Sequence, residues 1–134
     1  MCYLKELVQY EEGQEKEVQD YRYFDLYWTD RDRYPIIMRE GDDLIGFCLL
    51  RDTGNSFSVA EFSVAPEYRR RGYGRQLVTF VVNFCKEKKK HKELVANSLI
   101  NNKIAKKFWV ENGFKTVKII EEDGREFYNN VRCI

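Results

Sequence analysis

The joint at residues 63–77, SVAPEYRRRGYGRQL, constrains this chain more than any other stretch. An apolar, strand-like run ends at Pro66, and Gly72 and Gly74 then open a long apolar segment. Between them stand Arg69, Arg70 and Arg71, with Tyr73 and Arg75 interleaved among the glycines that follow. A strand, a glycine-bearing turn and a helix in that order leave outward-pointing amides at the helix start, where the dipole favours an anion. Guanidinium groups just upstream add fixed charge and paired donors. Leu77 occupies the place of the third glycine of a dinucleotide fingerprint, and no Gly-Lys-Ser/Thr follows. Neither a Rossmann site nor a P-loop therefore fits. A solvated basic loop, a nucleic-acid contact and a cradle for a phosphorylated cofactor all stay open on residue types alone.

Composition narrows the choice. Lys and Arg number 23 against 22 Asp and Glu, a formal net charge of +1, so any anion site must be local and a polyanionic polymer is a poor partner. The 134 residues are 43% hydrophobic and 15% aromatic, which suits one folded domain, residues 1–134, with a real core. Cys2, Cys48, Cys85 and Cys133 are scattered, with no CxxC pair and no histidine at metal-ligand spacing, so the three or four gathered soft ligands of a zinc site are not legible and no metal is expected. The first residues carry charges throughout and lack the apolar run of a signal peptide, and no stretch reaches the length of a membrane span. The expectation is a soluble, cytoplasmic protein with free thiols and no membrane partner.

Pattern sets the order of elements. Residues 4–10 read as a short helix, followed by a charged stretch. Runs 35–39 and 44–50 flank Gly41-Asp42, a hairpin signal, and a second turn at 52–55 leads to the run 56–64. The segment after Gly74 is rich in β-favouring Val78, Thr79, Val81 and Val82, but its length to Lys88 decides for helix. Leu77, Val81, Phe84 and Cys85 share one face of it. Residues 93–98 read as a strand. Asn102 is a candidate N-cap, Ile104, Ala105, Phe108 and Trp109 an apolar stripe, and Gly113 a C′ residue. Residues 114–121 and 126–133 form a last hairpin about Asp123-Gly124. Hairpins at both ends with helical crossovers between them imply an α/β sheet of mixed direction.

Residues 64–74, VAPEYRRRGYG, resemble the acetyl-CoA signature of the GNAT superfamily of N-acetyltransferases, with Arg69, Gly72 and Gly74 at its fixed positions. A second family motif, Asn-x-x-Ala followed by paired aromatics and Gly-Phe, is matched by Asn102, Ala105, Phe108, Trp109, Gly113 and Phe114. A helix and a strand separate the two, as the family requires. The resemblance covers about residue 35 onwards well and the first thirty residues poorly. Within the superfamily, DLYWTDRDRYP and AEFSVAPEYRRRGYG look similar to a small group of bacterial acetyltransferases of unassigned substrate.

The resemblance implies a single-domain GNAT-like fold, a mixed, mostly antiparallel sheet flanked by helices. The strand at 56–64 would diverge from the one at 93–98, and backbone groups of Phe62, Ser63 and Val64 would pair with the pantetheine arm of acetyl-CoA, the co-substrate. Arg69, Arg70, Arg71, Gly72, Tyr73, Gly74 and Arg75 would wrap the pyrophosphate, and Asn102 would lie across the cofactor's other side. The implied reaction is direct attack by an amine of a small molecule or peptide, through a tetrahedral oxyanion. Many relatives carry a carboxylate near the end of this strand, facing the cleft, which makes Glu61 the candidate base or water-orienting group. As a plain strand residue it would instead face solvent. Where Trp109 stands many relatives have a tyrosine that protonates the departing thiolate, which indole cannot do. Another tyrosine, water, or an unprotonated thiolate would then serve, and Trp109 as packing is equally open.

Family members begin with a strand that pairs with the first hairpin, and none is legible before Leu4. That N-terminal strand is either missing or supplied by another subunit, which makes a homodimer a candidate assembly. The aromatic and acidic segment 20–34 would roof the acceptor site or pack as a helix on the sheet. The run Lys86 to Lys92 reads as a solvated helix end in which His91 is exposed without a partner, while Cys48 and Cys85 fill core space. Two other classes remain: a weakened family member that binds CoA as a sensor, and a nucleic-acid module using residues 68–75 with the lysine run.

Overall fold

The computed structural model describes residues 31–134. The expectations for the helix at 4–10, the N-terminal edge strand and most of the segment 20–34 lie outside those residues. The described elements are strands β1 (Arg33–Glu40), β2 (Asp43–Asp52) and β3 (Phe57–Val64), helix α1 (Tyr73–Lys88), strand β4 (Glu93–Leu99), helix α2 (Lys103–Glu111), and strands β5 (Lys115–Glu122) and β6 (Arg125–Cys133). The six strands form one mixed sheet in the order β1-β2-β3-β4-β6-β5. The fold is the α/β arrangement that the sequence pattern implies.

Two compact units divide the chain, and both β3 and α1 run from one into the other. The first holds β1, β2 to Arg51, and residues 60–81. Here β1 and β2 pair antiparallel about the Gly41-Asp42 turn, with an irregularity between Met38 and Arg39. Pro35 sits inside β1, opposite Leu49. A proline lacks the N–H that an interior strand needs, and β1 can hold one because it ends the sheet order among the described residues. Phe47, Leu49 and Ala65 form the centre of this unit's core, packed by Ile37, Leu44, Ala60 and Tyr68. At Gly46 the chain passes so close to β3 that a Cβ would lie 2.6 Å from the Ser63 carbonyl oxygen, which leaves glycine as the residue that fits.

The second unit holds residues 52–59 and 82–134. In it β3 pairs parallel with β4 over three residues, Phe57 to Val59 against Leu94 to Ala96. Strands β4 and β5 both pair antiparallel with β6. The β5–β6 turn is Asp123-Gly124, at φ 51 and 75, the left-handed pair that a two-residue hairpin turn demands. Helix α2 packs on β4, β5 and β6.

The buried face of α1 is turned from the one its sequence suggests, gaining Val78 and Val82 and losing Phe84, and that of α2 is narrower. On α1 the buried stripe is Leu77, Val78, Val81, Val82 and Cys85, while Phe84 is half-buried with the Lys88 ammonium 5.0 Å from its ring centre. On α2 only Trp109 is fully buried, and Ile104 is 85% exposed. Ile104 lies about 100° around the helix from Ala105, which carries it past the edge of the packed face.

Candidate active site

The expected site residues of the first unit cluster where β3 hands over to α1. Glu61, Phe62 and Val64 are half-buried on β3, and Ser63 between them is buried. Ser63 Oγ has no hydrogen-bond partner among the described residues. A buried hydroxyl left in that condition is the kind of group that a ligand or water satisfies. The Ala65 amide donates to the Ile45 carbonyl at 2.7 Å, which pins the end of β3 to β2. Pro66 then starts a single 3-10 turn, Pro66–Tyr68, that the sequence reading does not contain.

The arginine loop follows. Arg69 Nε donates back to the Val64 carbonyl at 2.9 Å, so this arginine ties the loop to the strand end. Arg70 adopts φ 61 and Gly72 φ 86, two left-handed residues separated by Arg71. Such alternation turns successive backbone N–H groups towards one side, as in anion-binding nests. Gln76 N donates to Gly72 O at 3.2 Å, the bond that begins α1. The N–H groups of Tyr73, Gly74 and Arg75 thus fall in the first turn, where no intrahelical acceptor exists. That turn holds no acidic residue, whereas the last turn carries Lys86 and Lys88. The positive end of the dipole is left for an external anion, and the negative end is compensated. Amides, dipole and arginines form a donor set that fits a diphosphate.

Two tyrosines frame this loop, and the sequence reading missed their partners. Tyr68 Oη donates to Asp43 Oδ2 at 3.1 Å, and Tyr73 Oη donates to Glu40 Oε2 at 3.4 Å. Burial, together with the Asp43 carboxylate, pushes the Tyr68 phenol above its ordinary range, so it remains a donor. No local signal marks these pairs, since Tyr68 and Asp43 are separated by 25 positions.

In the second unit, Asn102 is the N-cap of α2, its side-chain oxygen accepting the Ala105 N–H at 3.0 Å. The helix ends in a Schellman motif: Phe114 N donates to Trp109 O at 3.0 Å and Gly113 N to Val110 O at 3.1 Å. Gly113 takes φ 91 there, and a Cβ would lie 3.1 Å from Arg132 Nη1, which itself donates to the Asn112 carbonyl at 2.7 Å. The Trp109 and Phe114 rings meet at 5.0 Å, the apolar contact that accompanies this cap.

His91 is not the exposed, partnerless residue that its lysine-rich surroundings suggest. Its side chain is 7% exposed, Nε2 donates to Asp52 Oδ1 at 2.7 Å, and its ring packs edge-on against Phe57. Lys90 Nζ lies 2.6 Å from the other oxygen of Asp52, whose side chain is 2% exposed. The Gly54 N–H adds a third donor at 2.8 Å. Asp52 is a buried charge answered from several sides, and Lys90 above all holds its carboxyl well below the usual carboxylate range. Residues around it, Lys90 to Glu93 with Asn55, Cys133 and Ile134, line an open depression of about 760 Å³. Among the described residues no cluster of three or more His, Cys, Asp or Glu is placed to hold a metal ion.

The sequence model of the Acetyltransferase (GNAT) family matches residues 3–114. The chain belongs to that family. No curated protein matches this acetyltransferase by sequence. Among solved structures, its fold is similar to a spermidine N-acetyltransferase chimera from Vibrio cholerae and hSSAT, at 14% identity and a TM-score of 0.78, over 98% of this chain and 89% of that one. A Bacillus subtilis acetyltransferase in complex with CoA matches at 14% identity and a TM-score of 0.76, over 100% and 93% of the two chains. An Elizabethkingia anophelis GNAT acetyltransferase with acetyl-CoA bound matches at 18% identity and a TM-score of 0.72, over 86% and 84%. These likenesses establish the GNAT fold. No helix among the described residues of this acetyltransferase is long and apolar enough to cross a membrane.

Proposed function

We propose that the chain, as one acetyltransferase domain over residues 1–134, transfers the acetyl group of acetyl-CoA to an amine of a small molecule or peptide in the cytoplasm. The observation that carries this reading is the joint between β3 and α1, where left-handed Arg70 and Gly72 precede an acid-free helix start. Amides of Gly72, Tyr73, Gly74 and Arg75, with Arg70 and Arg71, would hold the pyrophosphate. Arg69 would brace them through its bond to Val64, and backbone groups of Phe62, Ser63 and Val64 would receive the pantetheine arm. Asn102 would contribute from the start of α2.

Bound acetyl-CoA supplies an activated thioester. Attack by the amine forms a C–N bond through a tetrahedral intermediate, the C–S bond breaks, and the amine proton must leave. Glu61 is the proposed base or water-orienting group, and the thiolate departs with a proton from a tyrosine or water, or without one. Trp109 takes no part in that transfer in this reading, because indole is not a useful acid and its ring is engaged at the α2 cap. Two of the fold neighbours are complexes with CoA or acetyl-CoA, and one derives from a spermidine N-acetyltransferase, which supports cofactor and amine chemistry alike.

Thermal unfolding in the presence of ligands tests the cofactor. Acetyl-CoA should raise Tm by several degrees at concentrations where ATP and RNA do not. Equal stabilisation by RNA would favour a nucleic-acid module, and no shift with acetyl-CoA would remove both the enzyme and the CoA sensor. Glu61→Gln should lower the amine-dependent rate by about 10²- to 10⁴-fold with cofactor affinity kept. An unchanged rate takes Glu61 out of the mechanism.

A further inference from the structure

Of the three carboxylates at the turn between β1 and β2, Glu40, Asp42 and Asp43, two make bonds that acetyl transfer does not require. Glu40 ends β1 and Asp43 starts β2, with Gly41 at φ 62 between them. Tyr68, the last residue before the arginine loop, donates to Asp43, and Tyr73, the first residue after it, donates to Glu40. The two rings also touch edge to face, 5.6 Å between centroids at 85°. Both ends of the segment from Arg69 to Gly72 are therefore fastened to one hairpin tip and to each other. The Arg71 guanidinium lies 6.0 Å from the Tyr68 ring centre, a further contact to the same anchor.

What the anchors enclose is strained. Arg70 at φ 61 has the left-handed backbone that a side-chain-bearing residue keeps only when its surroundings impose it. Four exposed residues with three like charges would otherwise spread into many conformations, and a ligand would have to order them on arrival. We propose that Asp43, and more weakly Glu40, are positioning residues for the cofactor: through Tyr68 and Tyr73 they hold the arginine loop in its anion-receiving shape before any ligand arrives. The proposal rests on the acetyl-CoA reading above and adds residues that never touch the cofactor.

The sign of one substitution separates this role from simple electrostatics. A carboxylate beside an anion site repels the anion, so its removal should tighten binding if charge alone matters. If it positions the loop, its removal loosens binding. Titration calorimetry of the full chain with CoA, and with pantetheine as a ligand that lacks the diphosphate, reads the difference. Asp43→Ala and Tyr68→Phe should each weaken CoA about three- to tenfold. The double variant should be no worse than the weaker single, since both break one bond. Asp43→Asn keeps an acceptor for the phenol and should stay within about twofold of wild type. Pantetheine affinity should be the same throughout.

CoA affinity that is unchanged or increased in Asp43→Ala, or pantetheine losses equal to those for CoA, overturns the positioning role alone. A wild-type chain that binds no CoA overturns it together with the acetyltransferase reading.

Discussion

Trp109 and Phe114 meet edge to face, ring centroids 5.0 Å apart at 67°, across the end of α2. Both rings are buried, and the Phe114 amide donates to the Trp109 carbonyl, so one pair serves the cap in backbone and side chain together. Trp109→Ala should cost about 3–5 kcal/mol of stability, as deletion of a buried aromatic does. Trp109→Phe should cost less and leave the acetyl-transfer rate near that of wild type. Denaturant unfolding and thiol release check the two halves. A large rate loss in a folded Trp109→Phe protein would show that the indole does chemistry.

Gly113 ends the same helix under two constraints, its φ of 91 and the nearby Arg132 guanidinium. Gly113→Ala should destabilise by about 1–2 kcal/mol, from the left-handed backbone alone or with displacement of Arg132. A change within about 0.5 kcal/mol in urea midpoints would mean that the cap tolerates a side chain.

Asp52 links stability to acid. Its carboxyl titrates far below the ordinary value in the folded state, so it contributes stability above about pH 4, where the unfolded carboxyl is ionised. That contribution fades as pH falls below about 4 towards the depressed folded value. Asp52→Asn should lower Tm at pH 7, where Lys90 and His91 lose their shared carboxylate, and should flatten the decline between pH 5 and pH 2. Parallel melts at several pH values decide it. Identical acid profiles for the two proteins would remove Asp52 as the source.

The thiols should separate by burial. Cys48 and Cys85 are fully buried, and burial pushes the Cys85 thiol up to about 12, while Cys133 is exposed. Brief alkylation of the folded chain at pH 8 should label Cys133 and spare Cys48 and Cys85, because the thiolate is the reactive form. Peptide mapping by mass spectrometry reads this directly. Rapid labelling of Cys85 would mean that the α1 face opens.

Much of this architecture is legible because its signals are local. Gly41-Asp42 and Asp123-Gly124 announce their turns, Asn102 and Gly113 mark the two ends of α2, and length outweighs β-branched composition in α1. The strand–loop–helix joint that carries the proposed anion site is legible for the same reason, since strand end, glycines and helix start are contiguous. What escaped depends on distance along the chain. Asp52 and His91 are 39 positions apart, and Tyr68 and Asp43 are 25 apart, so neither pair leaves a mark in any short window. Lysines around His91 suggest a solvated surface, and only the fold brings a buried carboxylate to it. The first strand begins at Arg33, two residues before the run that the sequence pattern opens at Pro35, because an edge strand admits a proline that an interior one would not.

The most direct test of the account follows free thiol released from acetyl-CoA across a panel of amines, with mass analysis of the acceptor. The account predicts release that rises with the concentration of at least one amine, matched by an acceptor heavier by one acetyl group, and lost in Glu61→Gln. Release that stays at the rate of hydrolysis with every amine, from a chain that binds acetyl-CoA, would contradict the enzyme and leave a CoA-binding protein.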